Sequence, residues 1–128
     1  MHILFVDDDR FSRVMLAHGL RHHGLTVTEA DSAAQALEVL QEQSFDVMLS
    51  DIQMPTMDGP TLAAELRRRE IQPIMRLVAI SGSILTVDDR SRLLGLFDAV
   101  VSKPISADDL VTILVGAHSR AGLGGQAA

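Results

Sequence analysis

Five side chains that can do chemistry stand at the ends of short apolar runs. Asp7 and Asp8 close His2-Ile3-Leu4-Phe5-Val6, and Asp51 closes Phe45-Asp46-Val47-Met48-Leu49-Ser50. Ser81 closes Leu77-Val78-Ala79-Ile80, and Lys103, followed by Pro104, closes Ala99-Val100-Val101-Ser102. If each run is a strand of one parallel α/β sheet, its C-terminal end lies on the edge where such sheets bind ligands. Three carboxylates, a hydroxyl and an ammonium would then share one site. Three anions drawn together repel and lose hydration, so cations are required. Lys103 supplies one charge. A divalent ion that prefers oxygen supplies the rest, and Mg²⁺ suits carboxylates, a carbonyl and retained water. No histidine at matched spacing accompanies the aspartates, which argues against zinc. Such a set is suited to accepting a phosphoryl group. Asp51 would be the nucleophile, because phosphoryl transfer asks mainly for positioning and for stabilisation of oxygen charge. Ser81 would hydrogen-bond the bound phosphoryl group, and Gly82, with no side chain, would leave a path to Asp51. Asp9 reads as a cap or dipole partner of the helix that follows.

The elements that must position these residues alternate between β-rich and helical patterns. The spacing predicts a first helix over about Arg10–His23 with an apolar face of Phe11, Val14, Met15, Leu16, Ala17 and Leu20, stopped by Gly24. A second strand follows at Leu25–Glu29. Ser32 with Gln35 forms a capping-box pattern opening a helix over Ala33–Gln41. The third strand is Asp46–Ser50. Asp58-Gly59 reads as a turn, with Pro60 tolerated in the first turn of a helix over Thr61–Arg69. Ile71–Arg76 leads to the fourth strand. Thr86 with Asp89 caps a helix over about Val87–Leu96, Ala99–Ser102 is the fifth strand, and Ser106 with Asp109 caps a helix over about Ala107–His118. The expected architecture is (βα)₅, a doubly wound five-stranded parallel sheet. Residues 1–118 form the domain and residues 119–128 read as a flexible Gly/Ala-rich tail.

Composition sets outer bounds. The chain has 128 residues, is 47% apolar, contains no cysteine and carries a net charge of −6. That length suits one domain burying about 65–70% of its unfolded surface. Without cysteine there are no disulfides or thiolate metal sites. An acidic chain whose only basic run is Arg67-Arg68-Arg69 is a poor candidate for direct nucleic-acid binding. That run reads as a solvated helix end. No apolar run approaches the roughly 20 residues of a membrane span. Met1-His2-Ile3 lacks a basic leader, so a cytoplasmic location without membrane attachment is expected. The five histidines, His2, His18, His22, His23 and His118, read as structural.

Taken together, Val6-Asp7-Asp8, Ser50-Asp51-Ile52-Gln53-Met54-Pro55-Thr56-Met57-Asp58-Gly59, Ile80-Ser81-Gly82 and Ser102-Lys103-Pro104 resemble the receiver domain of bacterial two-component response regulators, including the single-domain chemotaxis regulator. The resemblance covers about residues 2–117 and implies a flavodoxin-like sheet with the strand order 2-1-3-4-5. It implies that Asp51 takes a phosphoryl group from a phosphohistidine on a sensor kinase or histidine phosphotransfer protein. It implies Mg²⁺ held by Asp8, Asp51 and the Gln53 carbonyl, with Asp7 acting mostly through water. It further implies a cis Lys103–Pro104 bond and an output surface on helix four, strand five and helix five, read by a downstream protein. The expected state is a monomer or weak homodimer.

The chain departs from the family pattern at Val100, where most relatives carry Tyr or Phe three residues before the lysine. The stretch from Pro73 to Ser81 is about three residues longer than usual. The Gln-Met-Pro phrase after Asp51 is common in receivers joined to hybrid sensor kinases. Two other readings stand beside the switch. A Mg²⁺-dependent phosphohydrolase on a related fold generally has a second Asp two residues after its nucleophile, where this chain has Gln53. A docking module independent of phosphorylation would not need all five site residues.

Overall fold

The computed structural model describes residues 1–123, with side chains described through residue 116. Five strands, β1 (His2–Val6), β2 (Thr26–Ala30), β3 (Val47–Asp51), β4 (Arg76–Ser81) and β5 (Ala99–Ser102), alternate with five helices. The helices are α1 (Arg10–His22), α2 (Ala33–Glu42), α3 (Gly59–Arg68), α4 (Val87–Leu94) and α5 (Ala107–Leu123). All strand pairs are parallel and the order is β2-β1-β3-β4-β5, as expected. The central strands are apolar over most of their length because both faces of the sheet are covered. Alternate residues on a strand point to opposite faces. Leu4, Val6, Met48, Leu77, Ala79 and Val100 therefore meet α2, α3 and α4 through Ala36, Leu40, Leu62, Leu66 and Leu93. Ile3, Phe5, Val47, Leu49, Val78, Ile80 and Val101 meet α1 and α5 through Ala17, Leu20, Leu110 and Leu114. Each such leucine, fully withdrawn from water, contributes about 1.5–3 kcal/mol.

The caps explain where the helices begin. Asp9, Ser32, Asp58, Thr86 and Ser106 accept backbone N–H bonds from Ser12, Gln35, Thr61, Asp89 and Asp109. Thr86 and Asp89 form a full capping box. At α2 the reciprocal bond goes one residue further out, since the Gln35 amide accepts from Asp31 N rather than Ser32 N. Asp58, read from sequence as a turn residue, is the cap of α3. Gly24 ends α1 with a positive φ of 86°, which glycine adopts freely.

Two expectations need correction. The inward stripe of α1 is not the one anticipated, because Phe11, Val14 and Met15 are exposed. The stripe instead runs through Arg13, Leu16, Ala17 and Leu20, a charged residue taking one apolar place. And α5 continues to Leu123, past His118 and into the stretch read as tail; residues 124–128 lie outside the described residues.

The long segment before β4 is organised around Gln72, which has a positive φ of 45°. Its side chain accepts from Phe45 N (3.0 Å) and donates to Leu40 O (2.9 Å) and Gln43 O (2.7 Å). This one side chain ties the segment to the connection between α2 and β3. Among the described residues no helix is long and apolar enough to cross a membrane.

Candidate functional site

Because β1 and β3 are neighbours, their ends bring the aspartates together. One carboxylate oxygen each from Asp7, Asp8 and Asp51 can lie within 4.8 Å of the others. Their environments differ. Asp7 is fully buried, Asp51 is half-buried and Asp8 is exposed. Asp7 is held at both ends, its N–H donating to Ala30 O (3.1 Å) and its Oδ1 accepting from Asp9 N (3.0 Å). Lys103, arriving from β5, places Nζ 3.3 Å from Asp7 Oδ2 and 3.2 Å from Asp51 Oδ2. The Lys103–Pro104 bond is cis.

The electrostatics follow from burial and these contacts. Desolvation pushes the Asp7 carboxyl above its usual range, against the Asp9 N–H bond and the Lys103 charge, and the nearby Asp51 charge adds to the rise. Burial pulls the Lys103 ammonium down, but Asp51 and Asp7 together outweigh it and hold the group above its ordinary value.

The backbone around Asp51 is built by the segment that follows it. Asp51 Oδ1 accepts from Gln53 N (3.2 Å), Ile52 N donates to Ile80 O (3.1 Å), and Gly59 N donates back to Ile52 O (2.9 Å). Met54 is buried and anchors the loop. A Cβ on Gly59 would lie 2.3 Å from the Asp51 carbonyl oxygen. Only glycine lets α3 start against the Asp51 backbone. The sequence reading missed this role of Gly59, although the Asp-Gly-Pro run preceding a helical pattern carries its trace.

Ser81 is buried. Its Oγ donates to Ser83 O and accepts from Ser83 N, both at 3.2 Å. Gln53 Nε2 reaches Ser83 Oγ at 3.4 Å, linking the loops after β3 and β4. A Cβ on Gly82 would meet nothing closer than Lys103 Cδ at 3.9 Å. Val100 is buried, and its carbonyl accepts from Arg90 Nη2 of α4 (3.1 Å). Phe97 is buried in the same apolar cluster as Val100. Every sequence-nominated residue thus lies at the C-terminal edge of the sheet except Val100, which sits within β5 beneath it. An open groove lined by Phe11, Met15, Leu16, Pro104 and Ile105 leads along α1 to Lys103.

Known proteins are similar to this chain in sequence and in fold. The family profile for the response regulator receiver domain matches residues 3–115. Response regulator receiver protein CpdR of Brucella abortus is 38% identical over 109 residues, covering 85% of this chain and 89% of that protein. Transcription factor SKN7 of Saccharomyces cerevisiae is 31% identical over 114 residues, 89% of this chain and 18% of that protein. Sensor kinase CckA of Brucella abortus is 34% identical, over 86% of this chain and 12% of that protein. The chain therefore spans a small part of SKN7 and CckA and most of CpdR. A CheY-like receiver domain from Methanospirillum hungatei superposes with a TM-score of 0.86 at 25% identity, covering 97% of this chain and 98% of that one. The chain belongs to the response regulator receiver domain family, the phosphorylation-based signalling switches of two-component systems.

Proposed function

We propose that Asp51 is the phosphoryl acceptor of a switch that receives its phosphoryl group from a phosphohistidine on a sensor kinase or histidine phosphotransfer protein. The observation that carries this is the Lys103 ammonium, 3.2 Å from Asp51 Oδ2, on the one carboxylate of the three that is both partly open and paired. Asp7 is too buried to meet a donor, and Asp8 has no cationic partner among the described residues. An Asp51 carboxylate oxygen attacks phosphorus. The P–N bond breaks, and its electron pair stays on the imidazole nitrogen. Lys103 orients the carboxylate and then faces the phosphoryl oxygens. Ser81 Oγ leaves Ser83 to donate to one of them.

The donor set fits Mg²⁺. It is all oxygen, and one ammonium offsets only one of three negative charges. Asp8, Asp51 and the Gln53 carbonyl would hold the ion directly, and Asp7 through water. When bound it would offset charge developing on the transferred group. The exposed Phe11, Val14 and Met15 beside the Lys103 groove offer the donor protein an apolar landing. Ile84, Val87 and Leu94 on and before α4, with Val115 on α5, offer the output surface. Gln53 occupies the place where a hydrolase would keep its acid, so the chain acts as a stoichiometric acceptor rather than a turnover enzyme.

Incubation with acetyl phosphate and Mg²⁺, followed by intact-mass analysis, tests this. One added phosphoryl group, absent in Asp51→Asn, is expected. Continued release of phosphate over many turnovers would favour a hydrolase, and no label at all would favour a docking module independent of phosphorylation.

A further inference from the structure

We propose that Arg13 is a positioning residue for the metal-binding aspartates, acting through the peptide that joins Asp7 to Asp8. Arg13 stands in the inward stripe of α1, where Leu16, Ala17 and Leu20 continue the apolar series. Its side chain is only 14% exposed. A charged group so withdrawn from water adds little stability relative to an apolar side chain of similar volume, so its retention asks for another reason.

The geometry supplies one. Arg13 Nη1 donates to the Asp7 carbonyl oxygen at 2.9 Å, and Nε donates to Glu29 Oε1 at 3.2 Å. Glu29 Oε2 accepts in turn from Arg21 Nη1 at 3.1 Å. The guanidinium is planar and its donors are fixed relative to one another. Anchored on Glu29 at the end of β2, it fixes the direction from which the Asp7 carbonyl is held, and hence the plane of the Asp7–Asp8 peptide. That plane matters most for Asp8. Asp7 has its own restraints in Asp9 N and Lys103. Among the described residues no hydrogen bond holds the Asp8 carboxylate. Its placement therefore depends on the backbone from which it leaves, and Arg13 is the side chain that holds that backbone. Glu29 is shared between Arg13 and Arg21, so the cluster keeps a net positive charge that cannot attract a cation, and the effect of Arg13 is one of aim. The role presupposes the Mg²⁺ site proposed above.

Isothermal titration of the metal-free chain with Mg²⁺ tests the assignment, together with phosphorylation rates from acetyl phosphate across Mg²⁺ concentrations and a circular-dichroism check of folding. Arg13→Met should fold and bind Mg²⁺ about tenfold more weakly, the lower end of what loss of an outer support of a metal site does. Its phosphorylation should be slow at limiting Mg²⁺ and recover toward the wild-type rate at saturation. Arg13→Lys, which can reach one acceptor but not span both, should lie between. A purely stabilising role would lower the melting temperature and leave the Mg²⁺ affinity of the folded protein unchanged, and that result would overturn the proposal. If Arg13→Met does not fold, Arg13→Lys decides: weakened binding supports the role and wild-type binding refutes it. Wild-type protein that bound no Mg²⁺ would sink the metal reading itself, whereas wild-type binding with equal binding by the variants would sink only the role of Arg13.

Discussion

The Lys103 ammonium and the Asp51 carboxylate meet at 3.2 Å although their strands are not neighbours. β4 lies between β3 and β5, so the lysine stem crosses the end of β4 beside Gly82. The same ammonium is the cationic partner of the fully buried Asp7.

Removing it should therefore be felt first at Asp7. In metal-free protein at neutral pH, Lys103→Met should keep the fold but cost about 1–3 kcal/mol, the penalty of leaving a buried acceptor without its donor. The sign of the pH dependence is set by the raised Asp7 carboxyl. A group whose folded pKa lies above its unfolded value favours the folded state at low pH, and this contribution is lost as pH rises through the folded value. Without Lys103 the carboxyl should rise further. The stability gap between variant and wild type should narrow as Asp7 takes up its proton. Urea denaturation of both proteins across the acid range checks this; a gap independent of pH would place the effect elsewhere.

Gly59→Ala should perturb the site without touching a reactive group. Its methyl would lie 2.3 Å from Asp51 O and 3.1 Å from Ile52 Cα, both backbone atoms that must move. Overpacking of this kind costs about 1–3 kcal/mol. Displacement of the Asp51 backbone should also slow phosphorylation in the fraction that remains folded. A variant with wild-type melting temperature and wild-type labelling rate would contradict the close approach.

The fold and the gathering of the strand-end side chains were readable because they depend on patterns of short range. Buried parallel strands are apolar over most of their length, their ends are abrupt, and caps such as Thr86/Asp89 declare helix starts. The inward face of α1 was misread because apolar residues lie on adjacent faces, and no local rule says that Arg13 turns inward while Phe11 turns out. That choice is made by Glu29 and the Asp7 carbonyl, both supplied by other elements. Gly59 was read only as a turn residue for the same reason, since the atom it must avoid lies at the end of β3. Gln72 was invisible as an organiser, because its three partners belong to a distant segment.

The junction of α1 and α5 should respond to pH. The His23 ring bonds Gly19 O and the Asp108 carboxylate in the first turn of α5. These two acceptors hold the imidazole above its ordinary value, the Gly19 carbonyl foremost. The stabilisation is complete below the unfolded value of about 6.5 and is lost as pH rises through the folded one. NMR titration of the ring should show His23 titrating above that value and moving down in Asp108→Asn. An unmoved midpoint in the variant would remove Asp108 from the account.

Transmission should run through the loop after β4 and through α4. Ser81 Oγ is engaged with Ser83, so donation to a phosphoryl group requires the Gly82–Leu85 loop to rearrange. Val100 is stiff and small and cannot swing as a ring would. Arg90, bonded to the Val100 carbonyl, then adds a hydrogen bond to the apolar packing between α4 and β5. Beryllofluoride with Mg²⁺, mimicking the aspartyl phosphate, should shift NMR resonances of residues 82–97. Arg90→Met should move the same resonances part of the way in the free protein, as expected if it releases an existing minor state. Shifts confined to other residues, or a free Arg90→Met spectrum identical to wild type there, would defeat this route.

Gln72 ties the molecule together at the pole opposite the aspartates. By stitching the approach to β4 onto the connection before β3, it clamps the ends of two central strands farthest from the aspartates. Amide protons near that stitch should exchange with solvent only in global unfolding, while those of the loop after β4 exchange through small local openings. Mobility graded along the strands in this way would let the reactive edge rearrange around a fixed base.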